Sequence, residues 1–586
     1  MAQTRSASKS PLATKPIKTL RKKKSKLTAA ERSSRKLKND HISAIRSTFR
    51  NAGFQRVTGV SDREFTYEGQ RSDVDDIFIF ENVVVLSEYT CSQSSDVGGH
   101  LKNKKIIYDK ILNNTSNFID FLSNKFSASA AQFPQKYHAS QLVVKILYCS
   151  RHDFDHHYKD NVPGPIYMDY PAVRYFSAVS GAVRKSSRFE LLHFMGILPS
   201  DIGSDGKISV SSGSKDYAGS LLPEAHSHFE KGFKIVAFYA DPESLLRTCY
   251  VLRKDGWRDS LNLYQRMISK TKIDAIRSYM KKQKRVFINN IIVTLPPEVK
   301  PLNDKSETVD PATLTRTMSI TIKVPDKPNS IGIIDGQHRV FAYHEAIIDD
   351  PEIAQLRIQQ NLLVTGIIYP TNISAAEREK FEARLFLEIN STQTNAKSTL
   401  KQAIGLVLDP FSNESIATRI LSKLAKTGPL SGVVEQYFFD TNKLKTSSIV
   451  SYGLRPLVKT SGTDSLFSVW THAEKEKVAI GQCPDALGDY IEFCVKQINK
   501  TLGSIRKNLS HDRWTTDSRT KRRVLATTYV NSFLIVLRLL VENKKSLSEV
   551  DLSNAFKGID DFNFAAYHSS QYKRMAEEIY EKHFDL

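Results

Sequence analysis

The run Ile333-Ile334-Asp335-Gly336-Gln337-His338-Arg339-Val340-Phe341-Ala342 constrains the fold more than any other part of this chain. An apolar strand-like lead ends in Asp-Gly, and a helix-forming stretch follows with Gln, His and Arg in its first turn. A strand that turns through glycine into a helix presents free backbone N–H groups and a positive dipole end, where an anion can sit. Arg339 and His338 at that place suit a phosphate or a carboxylate. The plainer alternative is a helix cap with a few exposed side chains.

At 586 residues the chain is long enough for about three domains. Its 40% hydrophobic and 25% charged residues are those of a soluble globular protein. No stretch approaches the ~20 apolar residues of a transmembrane span. The first residues carry no apolar signal core. The cysteines, Cys91, Cys149, Cys249, Cys483 and Cys494, are scattered without zinc-like spacing, and their odd number argues against a disulfide framework. A reducing, cytoplasmic location is expected. The net charge is +21, and residues 1–40 hold thirteen Lys or Arg against Glu31 and Asp40. Nucleic acid phosphate is the usual partner of such a tail, through counterion release. The rival reading is a solubilising tail.

The tail, read over residues 1–38, is expected to carry no regular structure, with a basic helix from His41 to about Asn51. Two strands, Ser72–Phe80 and Val83–Thr90, form a hairpin joined at Glu81-Asn82. Residues 100–124 have helical periodicity, and Leu142–Cys149 is a further strand. Residues 202–216 have the composition of a linker or a long surface loop. Phe233–Tyr239 is a strand, Ser269 caps a helix to Lys282, and Val286–Leu295, Ser319–Val324 and Ile331–Ile334 are strands. A helix from His338 to about Ile348, a strand Leu362–Tyr369 and a helix Ser374–Asn390 follow. Beyond Lys397 the pattern is mainly helical, including Lys521–Glu542.

Asp75 (or Asp76) and Glu88 each lie at one end of an apolar run, so hairpin geometry can bring the carboxylates together. Converging carboxylates hold Mg²⁺ through oxygen ligands, and the metal activates water and stabilises charge on a phosphodiester. On these residues the stretch 41–220 resembles the PD-(D/E)xK nuclease superfamily, whose core has an Asp and then Glu-x-Lys on the next strand. Thr90 stands where that Lys is expected. In divergent members the following helix supplies it, and here His100-Leu101-Lys102-Asn103-Lys104-Lys105 opens that helix. The resemblance implies Asp75, Asp76 and Glu88 as metal ligands, cleavage carried by them with Lys102 or Lys104, and Glu64 or Glu68 as an upstream acid. Without a Lys in reach the domain is a binding-only relative. The cluster Arg151-His152-Asp153-Phe154-Asp155-His156-His157 contains metal-ligand residue types at no defensible spacing.

Three blocks resemble the DGQHR-domain family, whose best-known members are DndB-like proteins of DNA sulfur-modification systems. They are Tyr264-Gln265-Arg266 with the helix Ile273–Tyr279 and strand Asn290–Val293, then Asp335–Arg339 with Ala342, then Phe386–Gln393. Gly336, Arg339 and Ala342 also fit the G-x-x-R-x-x-A box of ParB-like domains. The resemblance implies a nucleotide or DNA phosphate held by Gln265, Arg266, Asp335, Gly336, Gln337, His338, Arg339, Asn390 and Gln393. ATP or another nucleotide is the implied ligand, with its hydrolysis left open; no Walker motif occurs. His338 is expected as an anion or hydrogen-bond partner rather than a base.

In residues 401–586, Arg506, Lys507, Arg513, Arg519, Lys521, Arg522 and Arg523 surround Trp514, which suits either base stacking or a solvated face. The stripe Val530, Phe533, Leu534, Leu537 and Val541 reads as core. The expected fold is α/β: a basic tail (1–40), a restriction-endonuclease-like α/β domain (41–220), a ParB-like DGQHR α+β domain (221–400) and a helical C-terminal region (401–586). The expected function is a Mg²⁺-dependent DNA endonuclease coupled to a nucleotide- or DNA-sensing domain, in prokaryotic defence against foreign DNA. The alternative is a non-cleaving DndB-like regulator of a DNA-modification system. DNA is the expected partner, RNA is not separated from it by composition, no membrane is involved, and a second copy or defence-system proteins are further partners.

Overall fold

The computed structural model describes residues 28–585 except 62, 93, 153–155, 199–200, 204–212, 252–266, 394–397 and 438. Helix α1 (Ala29–Asn51) begins earlier than the sequence suggests. Thr28 and Glu31 explain this by forming a reciprocal cap, in which Thr28 N donates to Glu31 Oε2 at 2.7 Å and Glu31 N donates to Thr28 Oγ1 at 3.2 Å. Its first turns are exposed, and packing starts at His41, Ile45 and Phe49.

The strands β1 (Gln55–Arg56), β2 (Phe65–Tyr67), β3 (Gln70–Ser72), β4 (Asp76–Phe80) and β5 (Val83–Thr90) follow. Next come α2 (Ser94–Asn113), α3 (Thr115–Lys125), β6 (Val143–Ser150), α4 (His156–Asn161), β7 (Ile166–Met168), α5 (Tyr170–Val183) and α6 (Arg188–Phe194). Five strands make one sheet, ordered β1-β4-β5-β6-β7. The expected hairpin is present: Asp76 lies opposite Ser87 and Phe80 opposite Val83, with Glu81 at φ 51° in the turn. β5 runs parallel to β6, and α2 and α3 connect them. Alternation along the strands sends Ile77, Ile79, Val84 and Leu86 toward Leu101, Ile107, Phe118 and Leu122 of α2 and α3. It sends Phe78, Val83 and Val85 toward Ile45 and Phe49 of α1 and Val173 and Phe176 of α5. The sheet is therefore buried between two helical layers.

The central elements are β8 (Ser214–Leu221), α7 (Glu224–Ser227), β9 (Lys234–Ala240), α8 (Pro242–Thr248), β10 (Cys249–Tyr250), α9 (Lys270–Gln283), β11 (Ile291–Leu295) and β12 (Lys300–Leu302). They continue with β13 (Met318–Pro325), β14 (Ile331–Asp335), α10 (Gln337–Phe341), α11 (Pro351–Gln359), β15 (Leu362–Ile368) and α12 (Ala375–Gln393). Eight strands form one mixed sheet, ordered β10-β14-β11-β15-β9-β8-β13-β12. β8 starts inside the stretch read as linker or loop and pairs with β13 along its whole length. β11 is shorter than the strand read from Val286. Helix α10 stops at Phe341, well before Ile348. Arg277 donates to the carbonyls of Ala342 (2.9 Å) and His344 (3.1 Å), and Arg357 to that of Tyr343 (2.8 Å). Two guanidinium groups thus take acceptors that a longer helix would need.

One apolar core runs from the α1/α5 face of the first sheet into the second, reaching Ile273, Val293, Ile333 and Tyr343. Lys185 N donates to Glu345 O at 3.1 Å, the two side chains pair as ions, and Asn329 Nδ2 donates to Phe189 O at 3.4 Å. The C-terminal helices have a separate core that contains the buried stripe Val530, Phe533, Leu534, Leu537 and Val541. The last of the expected helices there starts at Thr527 rather than Lys521. Trp514 packs against this core and donates Nε1 to Pro429 O at 2.9 Å, and Arg513 is buried against Asp560. Both are used inside the fold. Among the described residues no helix is long and apolar enough to cross a membrane.

Candidate functional site

β5 carries Glu88 near its end, on the face covered by α2. Only 5% of Glu88 is exposed. Lys104, from α2, donates Nζ to Glu88 Oε1 at 2.8 Å and also to Asp73 Oδ1 and Asp73 O, each at 2.8 Å. Lys102 is exposed on the same helix. Helical spacing explains the difference, because Lys104 shares the inward stripe of Leu101, Tyr108 and Ile111. Burial pushes the Glu88 carboxyl up to about 8; Lys104 opposes that shift, and Asp75 and Asp73 add to it.

The structure separates the two aspartates left as alternatives. Asp75 lies beside Glu88: its Oδ2 accepts from Tyr89 N at 2.7 Å, and its charge acts on Glu88, Tyr108 and Tyr148. Asp76 pairs with Ser87 across the hairpin and so faces away from Glu88. It is fully buried, accepting from Arg46 Nε (2.6 Å), Ser61 Oγ (2.9 Å) and Tyr89 OH (2.8 Å) and pairing with Arg56. Its carboxylate joins α1 and β1 to the sheet. Glu64 pairs with Arg71 on the surface, and Glu68 sits at the β2–β3 turn with φ 46°. A small cavity of about 10 Å³ lies beside Glu88, lined among others by Asp73 and Tyr108. Among the described residues no group of three or more His, Cys, Asp or Glu is placed to hold a metal ion. Asp153 and Asp155 lie outside the described residues.

The second site is the strand–turn–helix. Gly336 holds φ 103°, and a Cβ there would lie 2.7 Å from Ile291 Cδ1 and 3.1 Å from Arg339 Nη2, so the turn requires glycine. Arg339 Nη2 donates to Asn290 O (2.6 Å) and Asp335 Oδ2 (2.8 Å). Arg339 Nε and Asn290 Oδ1 are buried beside the turn with no partner among the described residues. His338 Nε2 accepts from Ser269 N at 3.0 Å, tying α10 to the start of α9. Gln337 is buried. Asn390 donates Nδ2 to Phe386 O within α12 (2.9 Å). Gln265, Arg266 and the Gln393 side chain lie outside the described residues.

On the other face of β14, Glu382 of α12 is 2% exposed. Its Oε1 accepts from Thr294 Oγ1 (2.6 Å), Tyr369 OH (2.7 Å) and Tyr250 OH (2.9 Å). Burial raises its pKa. A group whose folded pKa is raised adds stability below its unfolded pKa and loses that contribution as pH rises through the folded one. Glu382→Gln keeps an acceptor oxygen but cannot titrate. The stability of Glu382→Gln relative to the parent should therefore increase from pH 5 to pH 8 in urea unfolding. A difference that stays flat over this window would show that Glu382 titrates alike in both states.

Residues 251–436 match the DndB family, described as DNA-sulfur modification-associated. The chain therefore carries a DndB-like region. That region runs from before α9 to beyond α12, into the helical C-terminal region, and so contains the Gly336 turn, Arg339 and Asn390, while Asp75, Glu88 and Lys104 lie outside it. No curated protein and no solved structure matches the chain. The DndB-like match associates the protein with DNA modification.

Proposed function

We propose that this protein binds DNA as part of a DNA-modification or defence system, and that its N-terminal domain hydrolyses phosphodiester bonds with a divalent cation. The contact between Lys104 and Glu88 carries the reading. It supplies from α2 the ammonium group that Thr90 cannot, next to a carboxylate that has Asp75 beside it. The order helix, hairpin, helix, parallel strand supports the reading of a restriction-endonuclease-like core. Asp75 and Glu88 would hold Mg²⁺, oxygen ligands suited to a hard cation. When bound, that ion supplies a nucleophilic water and charge neutralisation at phosphorus. Lys104 holds Glu88 in place and keeps a positive charge at the site.

At the DndB-like region, the unsatisfied donor Arg339 Nε favours an acceptor at the Gly336 turn, such as the phosphate of a nucleotide or of DNA, and Asn290 Oδ1 favours a donor such as a sugar hydroxyl. The basic segment 1–40 adds phosphate contacts.

Purified protein with supercoiled plasmid and Mg²⁺ tests the proposal. The parent should relax or linearise the plasmid, and Glu88→Gln or added EDTA should stop it. A second reading, a DNA-binding regulator that cuts nothing, is favoured by the bond of Lys104 to Asp73 and by the lack of a three-ligand cluster among the described residues. It is preferred if the parent retards plasmid with steep salt dependence yet leaves it intact.

A further inference from the structure

Two tyrosines of the apolar layer under the first sheet, Tyr67 and Tyr108, bury a hydroxyl that has no partner among the described residues, and of the two Tyr108 lines the cavity beside Glu88. It lies on α2, is 2% exposed and is enclosed by the α2/α3 core. Its hydroxyl is buried and has no hydrogen-bond partner among the described residues. Leaving such a group unpaired is unfavourable, and phenylalanine would fill the same space without that cost. The neighbouring Tyr148 shows the contrast: its hydroxyl meets His100 Nδ1 at 3.0 Å.

Tyr108 is also placed where a donor has a use. It lines the cavity beside Glu88 and Asp73, one helical turn beyond Lys104. Of the described residues lining that cavity, it is the one with an unpaired buried side-chain polar atom. The charges of Glu88 and Asp75 both act on its hydroxyl. Asp73, Glu88 and Lys104 already satisfy one another, so the hydroxyl is the donor that remains for an arriving group.

We infer that Tyr108 is a positioning residue of the Glu88 site, donating its O–H to an electron-rich oxygen that arrives with the ligand. The inference rests on the reading of Asp75, Glu88 and Lys104 as a cation-dependent site. That oxygen belongs either to a water on the divalent cation or to the phosphate of the DNA strand; the two share the acceptor chemistry. A buried donor aimed at such an oxygen fixes its orientation without help from solvent.

Tyr108→Phe tests this against the parent and Glu88→Gln. Three quantities are read: thermal unfolding, Mn²⁺ affinity by calorimetry without DNA, and the kcat and KM of plasmid cleavage. The melting temperature of Tyr108→Phe should stay unchanged or rise, because an unpaired hydroxyl has been removed. A weaker Mn²⁺ affinity, by about tenfold, assigns the oxygen to cation-bound water. An unchanged Mn²⁺ affinity with kcat about tenfold lower and KM unchanged assigns it to the phosphate. Either result supports the role. A variant equal to the parent in Mn²⁺ affinity and cleavage, while Glu88→Gln is inactive, overturns the role of Tyr108 and leaves the site itself standing. A lower melting temperature in Tyr108→Phe shows a structural hydroxyl and likewise overturns it. A parent that neither binds Mn²⁺ nor cuts DNA overturns both.

Discussion

Lys104→Ala is expected to lower plasmid cleavage by about 10²–10³-fold, the usual scale for losing one charged group at a developing negative charge. The same change at Lys102, two residues away and exposed, should leave the rate within about twofold, since surface charges act weakly at a distance. The pair separates a specific ammonium group from general basicity. Lys104→Ala also removes the cation that opposes the upward shift of Glu88. Glu88, which burial already pushes up to about 8, then takes up a proton more readily still, so the pH at which it becomes a good ligand moves further up. Raising the pH should therefore recover Mn²⁺ affinity in the variant more than in the parent, as a titration at pH 7 and pH 9 would read. Equal cleavage by Lys104→Ala and Lys102→Ala would remove Lys104 from the chemistry.

Asp76→Ala should be the more damaging change for folding and the less informative one for chemistry. The carboxylate is fully buried and joins Arg46, Arg56, Ser61 and Tyr89. Removing one partner of a buried pair typically costs about 3–5 kcal/mol. Both guanidinium groups keep more than a third of their side-chain surface in water, so about 3 kcal/mol is expected, or a melting temperature lower by roughly 6–12 °C for a domain of this size. Asp76→Asn keeps an acceptor oxygen and should lose less. Asp75→Ala, one residue earlier, should reverse the pattern, with stability nearly kept and cleavage lost. Urea unfolding read beside plasmid cleavage distinguishes them. A stable Asp76→Ala protein would mean that packing and the backbone pairing of β1 with β4 hold α1 and β1 to the sheet without the ionic contacts.

The hairpin was legible because two apolar runs flank a short polar turn, and that pattern fixes pairing and face together. It left Asp75 and Asp76 as alternatives. The strand register decides between them, since neighbouring residues face opposite ways. The choice between Lys102 and Lys104 was already present in the helical stripe of Leu101, Lys104, Tyr108 and Ile111, a signal that spacing alone could have used. β8 was hidden because Ser214-Lys215-Asp216-Tyr217-Ala218-Gly219-Ser220 is mostly polar; it pairs through backbone along β13 and buries little until Leu221. The early end of α10 depends on arginines from two other helices, which no local pattern records. Glu382 was invisible for a related reason. It lies just beyond the charged stretch Glu377-Arg378-Glu379-Lys380, where an acid looks solvated, and only the arrival of three hydroxyls from β10, β11 and the residue after β15 reveals its burial.

The continuous core between the two sheets, fastened by Lys185 and Glu345, has a practical outcome for anyone dividing this chain. A fragment cut near residue 203 would bare the flank of α5 and the side chains that now meet α9, a greasy wound prone to clumping. The N-terminal domain and the DndB-like region are thus better treated as conjoined twins than as beads on a string. A shift of the loop after α10 would tug directly on the turn after α5, with no slack tether in between to absorb it.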